Sequence, residues 1–533
     1  MAVDLPADQL QQLLRDATSA LNRGDYRELD SLCRQIITLD SGQADAWFFL
    51  SLIAATQRKV SIALQLTEKA LSLAGPNAEY LSQKARLLSR LNQRAAALAA
   101  ADQASGLQPQ SAAVLDTLGV VYSHLGEHHR AVQAFTAAVS LKPENPQYQF
   151  NLGSAQQFIG NLTEAACCYE QAVRLRPDFF RAHWALSELE KNASDTRRLD
   201  SLLQHWQPGS ERLKPEDELY LGHAISREFE KLGDHDNAFH YLRAGKQRRR
   251  EQVNYSRTQD AGLFAAIKQH FPLGSSIKNA TGKGEHAVFI VGMPRSGTTL
   301  VERILDSHSG IAALGELQDF ARAVKAVSAT PSNVVLDEQV ISAACHADPD
   351  EIGARYLASV AGLHPEPGYF IDKMPLNFLY LGFILASLPK AKVICVHRNP
   401  LDTCLSNFRQ LFAVNFSYYN YHYDLLDTAS YYAEFAKLME HWQSLFGDRI
   451  YQLHYEELTA DPENRVRGLL EYLNLPWEPD CLNFHQSRRA VSTASSTQVR
   501  EPVYQTAVGR WRRYEKHLDD VKRLLDEKAI RYE

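Results

Sequence analysis

A short stretch between an apolar run and an amphipathic segment carries residue types that bind anions. It reads G-M-P-R-S-G-T-T and spans residues 292–299. Its glycines let backbone N–H groups point at anionic oxygens, and the helix predicted from Thr298 to Ser307 adds the attraction of its N-terminal dipole. A tight turn capped by Thr298 needs neither Arg295 nor a second hydroxyl. The stretch therefore predicts an anion site.

This stretch differs from the phosphate loop of nucleoside triphosphatases at one position that matters for chemistry. In that loop a lysine follows the second glycine, and here Thr298 stands in its place. A nucleoside triphosphatase or a kinase-like phosphotransferase is therefore disfavoured.

Four apolar runs are each followed at once by polar residues. The runs predict strands at 287–291, 369–371, 392–396 and 450–453, followed by the polar clusters 295–299, 372–373, 397–398 and 454–456. Short apolar runs that alternate with helical segments indicate an α/β domain whose parallel sheet is covered on both faces. Ligands bind outside the carboxyl ends of the strands in such sheets, so we expect the four clusters to form one site.

Two of these clusters resemble motifs of the sulfotransferases that use 3′-phosphoadenosine-5′-phosphosulfate (PAPS). P-R-S-G-T-T-L after the first strand resembles their 5′-phosphosulfate loop, and V-H-R-N-P-L-D-T-C-L-S-N-F at 396–408 resembles their 3′-phosphate motif. The resemblance implies a P-loop-like fold, PAPS as co-substrate and no metal. The donor-binding residues that it implies in these motifs are Arg295, Ser296, Gly297, Thr298, Thr299, Arg398 and Ser406.

Within that family the chain is most similar to the tyrosylprotein sulfotransferases. Gly315-Glu316 resembles an element in which the glutamate is the catalytic base, and D-K-M-P at 372–375 implies that Lys373 stabilises the transition state together with Arg295. H-Y-E-E-L at 454–458 implies that Tyr455 lies against the nucleotide. Asp319 is the nearby rival to Glu316 as the base.

The segment S-S-T-Q-V-R-E-P-V-Y at 495–504 resembles the loop that closes over PAPS. The resemblance implies that Ser495 stabilises the transferring sulfonate and that Arg510 lies near the 3′-phosphate. The loop residues implied to bind the donor are Ser496, Thr497, Gln498 and Val499. The chain departs from the family pattern where an arginine is expected twelve residues after Arg398, because Gln410 stands there with Arg409 beside it.

The N-terminal half repeats with a period of 34 residues. That period aligns Leu118-Gly119 with Leu152-Gly153, Ala131 with Ala165, Phe135 with Tyr169, and Pro143 with Pro177. This is the tetratricopeptide pattern, in which each repeat is a helix pair and stacked repeats form a superhelix. We predict five repeats over residues 10–179.

The predicted domains are a tetratricopeptide array at 1–210, a degenerate helix pair and linker at 211–280, and the sulfotransferase domain at 281–533. The helix pair is predicted over 219–250. The basic run at 246–250 lies near the end of its second helix, where cations complement the helix dipole. Nucleic-acid binding is the weaker interpretation of that run.

The composition excludes several classes of protein. The 533-residue chain has a net charge of −6, which does not attract nucleic acid or an anionic membrane. Its seven cysteines are scattered without metal-ligand spacing. Its start resembles no signal peptide, and no apolar stretch reaches the roughly 18 residues that a membrane span needs. We therefore expect a cytoplasmic protein without membrane insertion.

The predicted function is transfer of a sulfonate group from PAPS to a hydroxyl acceptor, with a protein tyrosine as the favoured acceptor. A carbohydrate or small-molecule hydroxyl is the alternative acceptor. A repeat scaffold whose α/β domain only binds a nucleotide is the alternative class of function. The array is expected either to present a protein or peptide acceptor or to act as a spacer or a platform for a homodimer.

Overall fold

The chain folds into two compact units, Met1–Ala182 and His183–Glu533, in this computed structural model. The structure describes residues 7–189, 196–274, 279–281, 284–332, 334–363, 368–413, 417–486 and 507–532. The domain boundaries predicted at residues 210 and 281 stay predictions.

The first unit is built from consecutive helix pairs. Residues 7–175, all of which are described, form five pairs: α1 (Ala7–Arg23), α2 (Tyr26–Leu39), α3 (Ala44–Thr56), α4 (Val60–Ala74), α5 (Ala78–Arg90), α6 (Arg94–Gly106), α7 (Ala112–His124), α8 (His128–Leu141), α9 (Pro146–Ile159) and α10 (Leu162–Leu175). The predicted tetratricopeptide architecture is therefore confirmed.

Close approach of helices explains the glycine of the repeat pattern. A Cβ atom on Gly119 would lie 2.6 Å from the ring of Phe135, and one on Gly153 would lie 2.7 Å from the ring of Tyr169. Each glycine thus makes room for the aromatic side chain of the second helix in its own repeat. The same glycine–aromatic contact occurs in both repeats, which explains why these residues recur with a period of 34.

Helices also precede the sheet. They are α11 (Phe180–Leu189), α12 (Arg197–His205), α13 (Pro215–Lys231), α14 (His235–Gln252) and α15 (Arg257–His270). The predicted helix pair is α13 and α14, which approach so closely that a Cβ on Gly222 would lie 2.7 Å from the Cα of Gly245.

In α14 the structure differs from the prediction that the basic run at 246–250 lies exposed at the end of a helix. Lys246 is fully buried, and its amine donates to the backbone carbonyls of Gln410 at 3.2 Å and His422 at 2.9 Å. It therefore holds two segments of the second unit in place instead of complementing a helix dipole in water. Arg250 pairs with the buried Asp427 at 2.5 Å.

The second unit contains a parallel sheet with the strand order β2-β3-β1-β4-β5 among the described residues. Its strands are β1 (Ala287–Gly292), β2 (Ile311–Ala313), β3 (Tyr369–Asp372), β4 (Lys392–His397) and β5 (Ile450–His454). The four predicted strands are confirmed. The sequence missed β2, because three residues are too few to show a pattern.

Apolar side chains cover both faces of the sheet. Phe289 and Val291 of β1 pack into one hydrophobic core, and the alternate residues Val288 and Ile290 pack into another. All six residues of β1 are buried. The uninterrupted apolar run of β1 therefore reflects a strand that is covered on both sides, as predicted.

Helices around the sheet complete the second unit. The α-helices are α16 (Thr298–Asp306), α17 (Asp319–Ser328), α18 (Glu338–Cys345), α19 (Pro349–Val360), α20 (Leu381–Ser387), α21 (Pro400–Arg409), α22 (Leu425–Phe446), α23 (Tyr455–Ala460), α24 (Pro462–Tyr472) and α25 (Asp519–Glu527). Segments of 3-10 helix lie at Pro375–Tyr380, Ser417–Tyr423, Gly447–Arg449, Pro479–Gln486 and Arg510–His517.

Candidate active site

The predicted anion loop joins the end of β1 to the start of α16. Gly297 precedes the helix with φ +108°, and Arg295 adopts φ +67°, so the backbone is left-handed on both sides of Ser296. Thr298 and Thr299, the first residues of α16, are buried. The hydroxyl of Ser296 is buried without a hydrogen-bond partner among the described residues. These features fit a loop that wraps an anion.

Tyr455 and β4 press against the glycines of this loop. A Cβ on Gly297 would lie 2.5 Å from the ring of Tyr455, and one on Gly292 would lie 2.5 Å from the carbonyl oxygen of Val396. Both positions also have positive φ. Only glycine fits them without displacing backbone or ring atoms.

Arg398 and Ser406 lie beside the loop, as the paired motifs predict. One Nη of Arg398 donates to the carbonyl oxygen of Arg295 at 3.0 Å, and Nε of Arg295 donates to Oγ of Ser406 at 3.4 Å. The guanidinium of Arg398 lies 5.0 Å from the centre of the Tyr455 ring. Residues from three strand ends therefore meet at one place.

Arginines surround a small cavity next to these residues. The cavity, of about 60 Å³, is lined by Arg227, Arg295, Arg398, Asp402, Leu405, Ser406, Arg409, Gln410, Ala507 and Arg510. Burial and then the charge of Arg398 lower the pKa of Arg295 to about 10. The charge of Arg409 and then burial lower the pKa of Arg510 to about 9. An anion in the cavity would relieve this crowding of like charges.

Lys373 lies at the end of β3 between two carboxylates. Its buried amine lies 2.5 Å from Oε1 of Glu316 and 3.7 Å from Oε2 of Glu302. Burial lowers the pKa of Lys373, but the charges of Glu316 and Glu302 outweigh burial and leave the pKa raised. The lysine is therefore protonated at neutral pH and holds its positive charge inside the site.

The carboxylates near Lys373 differ in their access to solvent. The side chain of Glu316 is 39% exposed and that of Glu302 only 6%. Burial raises the pKa of Glu302 to about 7. Asp319 is buried, and its charge helps to raise the pKa of Asp372. Glu316 is thus the carboxylate in this group that an acceptor can reach most easily.

Some predicted donor contacts lie outside the described residues. These are Ser495, Ser496, Thr497, Gln498 and Val499. Their roles stay predictions. Arg510, predicted near the 3′-phosphate, does line the cavity with Arg398.

The sequence missed two charged residues of the site, Arg227 and Glu302. Arg227 lies on α13, far along the chain from every strand end, and no local motif marks it. Glu302 falls on the amphipathic helix α16 three residues after Thr299, where a carboxylate would normally face water. Glu302 is instead buried beside Lys373, and this tertiary contact could not be predicted from the local sequence.

A protein-family model matches the part of the chain that contains the sheet. Residues 287–479 match the model of a sulfotransferase family. The chain carries a sulfotransferase domain. Residues 82–147 and 146–179 of the same chain match tetratricopeptide-repeat models.

Curated relatives match parts of this chain. An uncharacterized protein of Aquifex aeolicus is 35% identical over 57% of this chain and 41% of its own length. Protein-tyrosine sulfotransferase 1 of Danio rerio is 27% identical over 42% of this chain and 65% of its own length. The protein-tyrosine sulfotransferase of Drosophila melanogaster is 25% identical over 42% and 46%. The chain thus spans less than two thirds of each of these relatives.

Two solved structures are similar to parts of the chain. The sulfotransferase domain from the curacin biosynthetic pathway has 17% sequence identity and a TM-score of 0.32, covering 48% of this chain and 100% of its own. A tetratricopeptide-repeat protein of Thermus thermophilus has 20% identity and a TM-score of 0.30, covering 34% and 98%.

The second unit also has a large cleft, lined both by residues of the helices before the sheet and by residues next in sequence to Glu316 and Lys373. Its volume is about 690 Å³, and its lining includes Leu317 and Met374, the residues that directly follow these two. Four tyrosines contribute to its walls, namely Tyr255, Tyr380, Tyr418 and Tyr431. Through Leu317 and Met374 the cleft adjoins the chain segments that carry Glu316 and Lys373.

The described residues show neither a metal cluster nor a membrane span. They hold no group of three or more histidines, cysteines or acidic residues placed to bind a metal ion. None of their helices is long and apolar enough to cross a membrane.

Proposed function

We propose that the chain transfers the sulfonate group of PAPS to a hydroxyl acceptor and that the acceptor is a protein tyrosine. The observation that carries the proposal is the contact between the two predicted phosphate motifs, in which Arg295 reaches both Arg398 and Ser406. A donor with phosphate groups at both its 5′ and 3′ ends needs two adjacent anion sites of this kind.

The residues at the site fit this donor. The N-terminus of α16 and the hydroxyl of Ser296 suit the 5′-phosphosulfate, and the arginine cavity suits the 3′-phosphate. Nε of Arg398 and Nε of Arg510 are buried without hydrogen-bond partners in the described part of the chain. Such groups are costly to bury unless a ligand satisfies them, which supports a bound anion.

The proposed reaction is an in-line displacement at sulfur. The acceptor oxygen forms a bond to sulfur while the bond from sulfur to the bridging oxygen breaks, which releases adenosine 3′,5′-bisphosphate. Lys373 and Arg295 stabilise the negative charge that grows on the leaving phosphate and the sulfonate oxygens. Glu316 takes the phenolic proton, since a phenol with a pKa near 10 is protonated at neutral pH.

Two observations support an enzyme with a tyrosine acceptor. Lys373 and Glu316 are in contact, and the residues that directly follow them in the chain line a cleft, which a scaffold that only binds a nucleotide would not need. Relatives such as that of Danio rerio are named protein-tyrosine sulfotransferases. We propose further that the repeat array, matched by the tetratricopeptide models, presents the protein acceptor.

Donor binding can be tested by thermal melting of the full chain. Adenosine 3′,5′-bisphosphate at about 100 times its dissociation constant should stabilise the protein by about 2.7 kcal/mol and raise its melting temperature by several degrees. ATP at the same concentration should raise it much less, because ATP lacks the 3′-phosphate that the arginine cavity holds. The Arg398→Ala variant should lose most of this preference, whereas Arg467→Ala, which removes an exposed arginine paired with Glu463, should keep it.

Equal stabilisation by ATP and by the bisphosphate would refute the proposed donor. A preference that survives in Arg398→Ala would instead move the 3′-phosphate site elsewhere in the chain.

A further inference from the structure

The helix pair before the sheet contributes directly to the arginine cavity. Arg227 of α13 lines the cavity together with Arg398 and Ser406. Helix α13 spans Pro215–Lys231 and therefore lies outside residues 287–479, which match the sulfotransferase family. All of these residues belong to the same compact unit, His183–Glu533.

Glu230 of α13 positions three of the arginines. It accepts hydrogen bonds from Nε and Nη2 of Arg409 at 2.6 and 2.5 Å and from Nη1 of Arg227 at 2.8 Å. Arg510 lies 3.8 Å away, and the hydroxyl of Tyr514 donates to the same carboxylate. A bidentate carboxylate contact fixes the plane of a guanidinium, so α13 sets the direction in which Arg409 points.

This arrangement compensates for the departure from the family pattern at Gln410. The side-chain amide of Gln410 donates to the carbonyl of Leu411 at 3.1 Å, and it carries no charge. Arg409 and Arg227 bring positive charge to the cavity that Gln410 lines. Arginines of both α21 and α13 therefore line the cavity at which Gln410 stands.

Arg227 retains capacity to bind a ligand. It donates to Glu188 through Nε and Nη2 and to Glu230 through Nη1. A guanidinium has five N–H groups, so these three contacts leave one N–H on each terminal nitrogen for a further acceptor. Asp402 also lines the cavity, but its carboxylate accepts hydrogen bonds from the backbone N–H groups of Gly509 and Trp511.

We infer that Arg227 binds the 3′-phosphate of the donor and that helix α13 is thereby part of the donor site. This inference rests on the proposed donor. A phosphate monoester is the ligand that suits the cavity, because its two charges and three terminal oxygens can accept from several guanidinium groups at once. Adenosine 5′-monophosphate carries a 5′-phosphate but no 3′-phosphate, so its affinity should not depend on Arg227.

The test compares two nucleotides on three variants of the full chain by calorimetry. For Arg227→Ala, the affinity for adenosine 3′,5′-bisphosphate should fall about tenfold or more, the usual effect of losing a charge-assisted hydrogen bond. Its affinity for adenosine 5′-monophosphate should stay unchanged. Arg227→Lys should recover part of the loss, since it restores the charge without the planar fork. The matched control is Arg248→Ala on α14, which removes the arginine paired with Glu218 and should bind both nucleotides as wild type does.

The outcomes separate the inference from the proposed function. If wild type binds the two nucleotides equally, the proposed donor is wrong. If wild type prefers the bisphosphate and Arg227→Ala keeps that preference in full, the donor stands and the inference is wrong. If Arg227→Ala melts at a lower temperature and loses affinity for both nucleotides alike, while Arg227→Lys restores both, Arg227 has a structural role only and the inference is again overturned.

Discussion

Turnover of the Glu316→Gln variant should fall by about 10²–10⁴, the usual contribution of a general base, while its affinity for adenosine 3′,5′-bisphosphate stays nearly unchanged. Glutamine keeps the shape of the side chain and can still accept from the amine of Lys373, which lies 2.5 Å from the carboxylate. It cannot take a proton from the acceptor. The measurement is steady-state turnover, with nucleotide affinity determined separately by calorimetry.

A change of acceptor distinguishes a base from a residue that only orients the substrate. A more acidic phenol should restore part of the turnover of Glu316→Gln, because less help is then needed to remove its proton. The matched control is Asp319→Asn, a buried carboxylate that should be dispensable for proton transfer. Wild-type turnover in Glu316→Gln together with an inactive Asp319→Asn would show that the base was assigned to the wrong residue.

The second large effect is expected for Lys373→Met. Turnover should fall by about 10²–10³, the typical cost of removing one group that stabilises charge in the transition state. Affinity for the bisphosphate should change little, because this product lacks the sulfonate. Raising the pH should not rescue the variant, since the loss is one of positive charge and not of a base.

The protein should tolerate this change well enough to be assayed. The charge of Lys373 lowers the pKa of Glu302, which burial raises to about 7, so removing the lysine lets Glu302 take up a proton instead of remaining as a buried charge. The control is Lys325→Met, because the amine of Lys325 donates to the hydroxyl of Thr330 at 2.7 Å and touches neither Glu302 nor Glu316. Near wild-type turnover in Lys373→Met would remove the lysine from the mechanism.

The parts of the site that lie at the end of one strand and the start of the next helix could be predicted from the local sequence. The run before Gly292 and the loop after it predicted β1, the anion loop and the start of α16, because burial on both faces and the helix N-terminus leave clear patterns. The same holds for Arg398, which follows β4 directly. The repeat period likewise predicted the helix pairs of the first unit.

Residues that reach the site across long stretches of chain could not be found in this way. Arg227 contacts Glu230 on its own helix, and only tertiary packing brings that pair to Arg409. The position of Lys246 in a basic run predicted an exposed cation on a helix, yet Lys246 is buried and donates to the carbonyl of His422. In each case the side chain is charged, so its hydropathy predicts exposure, and the partner that allows burial is distant in sequence.

The most direct test of the proposed function is transfer of radiolabelled sulfonate from PAPS by the full chain to a tyrosine peptide, a glycan and a small phenol in parallel. We predict that the label appears on the tyrosine of the peptide, that a matched peptide with phenylalanine at that position stays unlabelled, and that Lys373→Met abolishes most of the transfer. Labelling of the glycan alone would contradict the proposed acceptor. No transfer to any of the three, by a protein that binds adenosine 3′,5′-bisphosphate, would contradict the account of this chain as a sulfotransferase acting on hydroxyl groups.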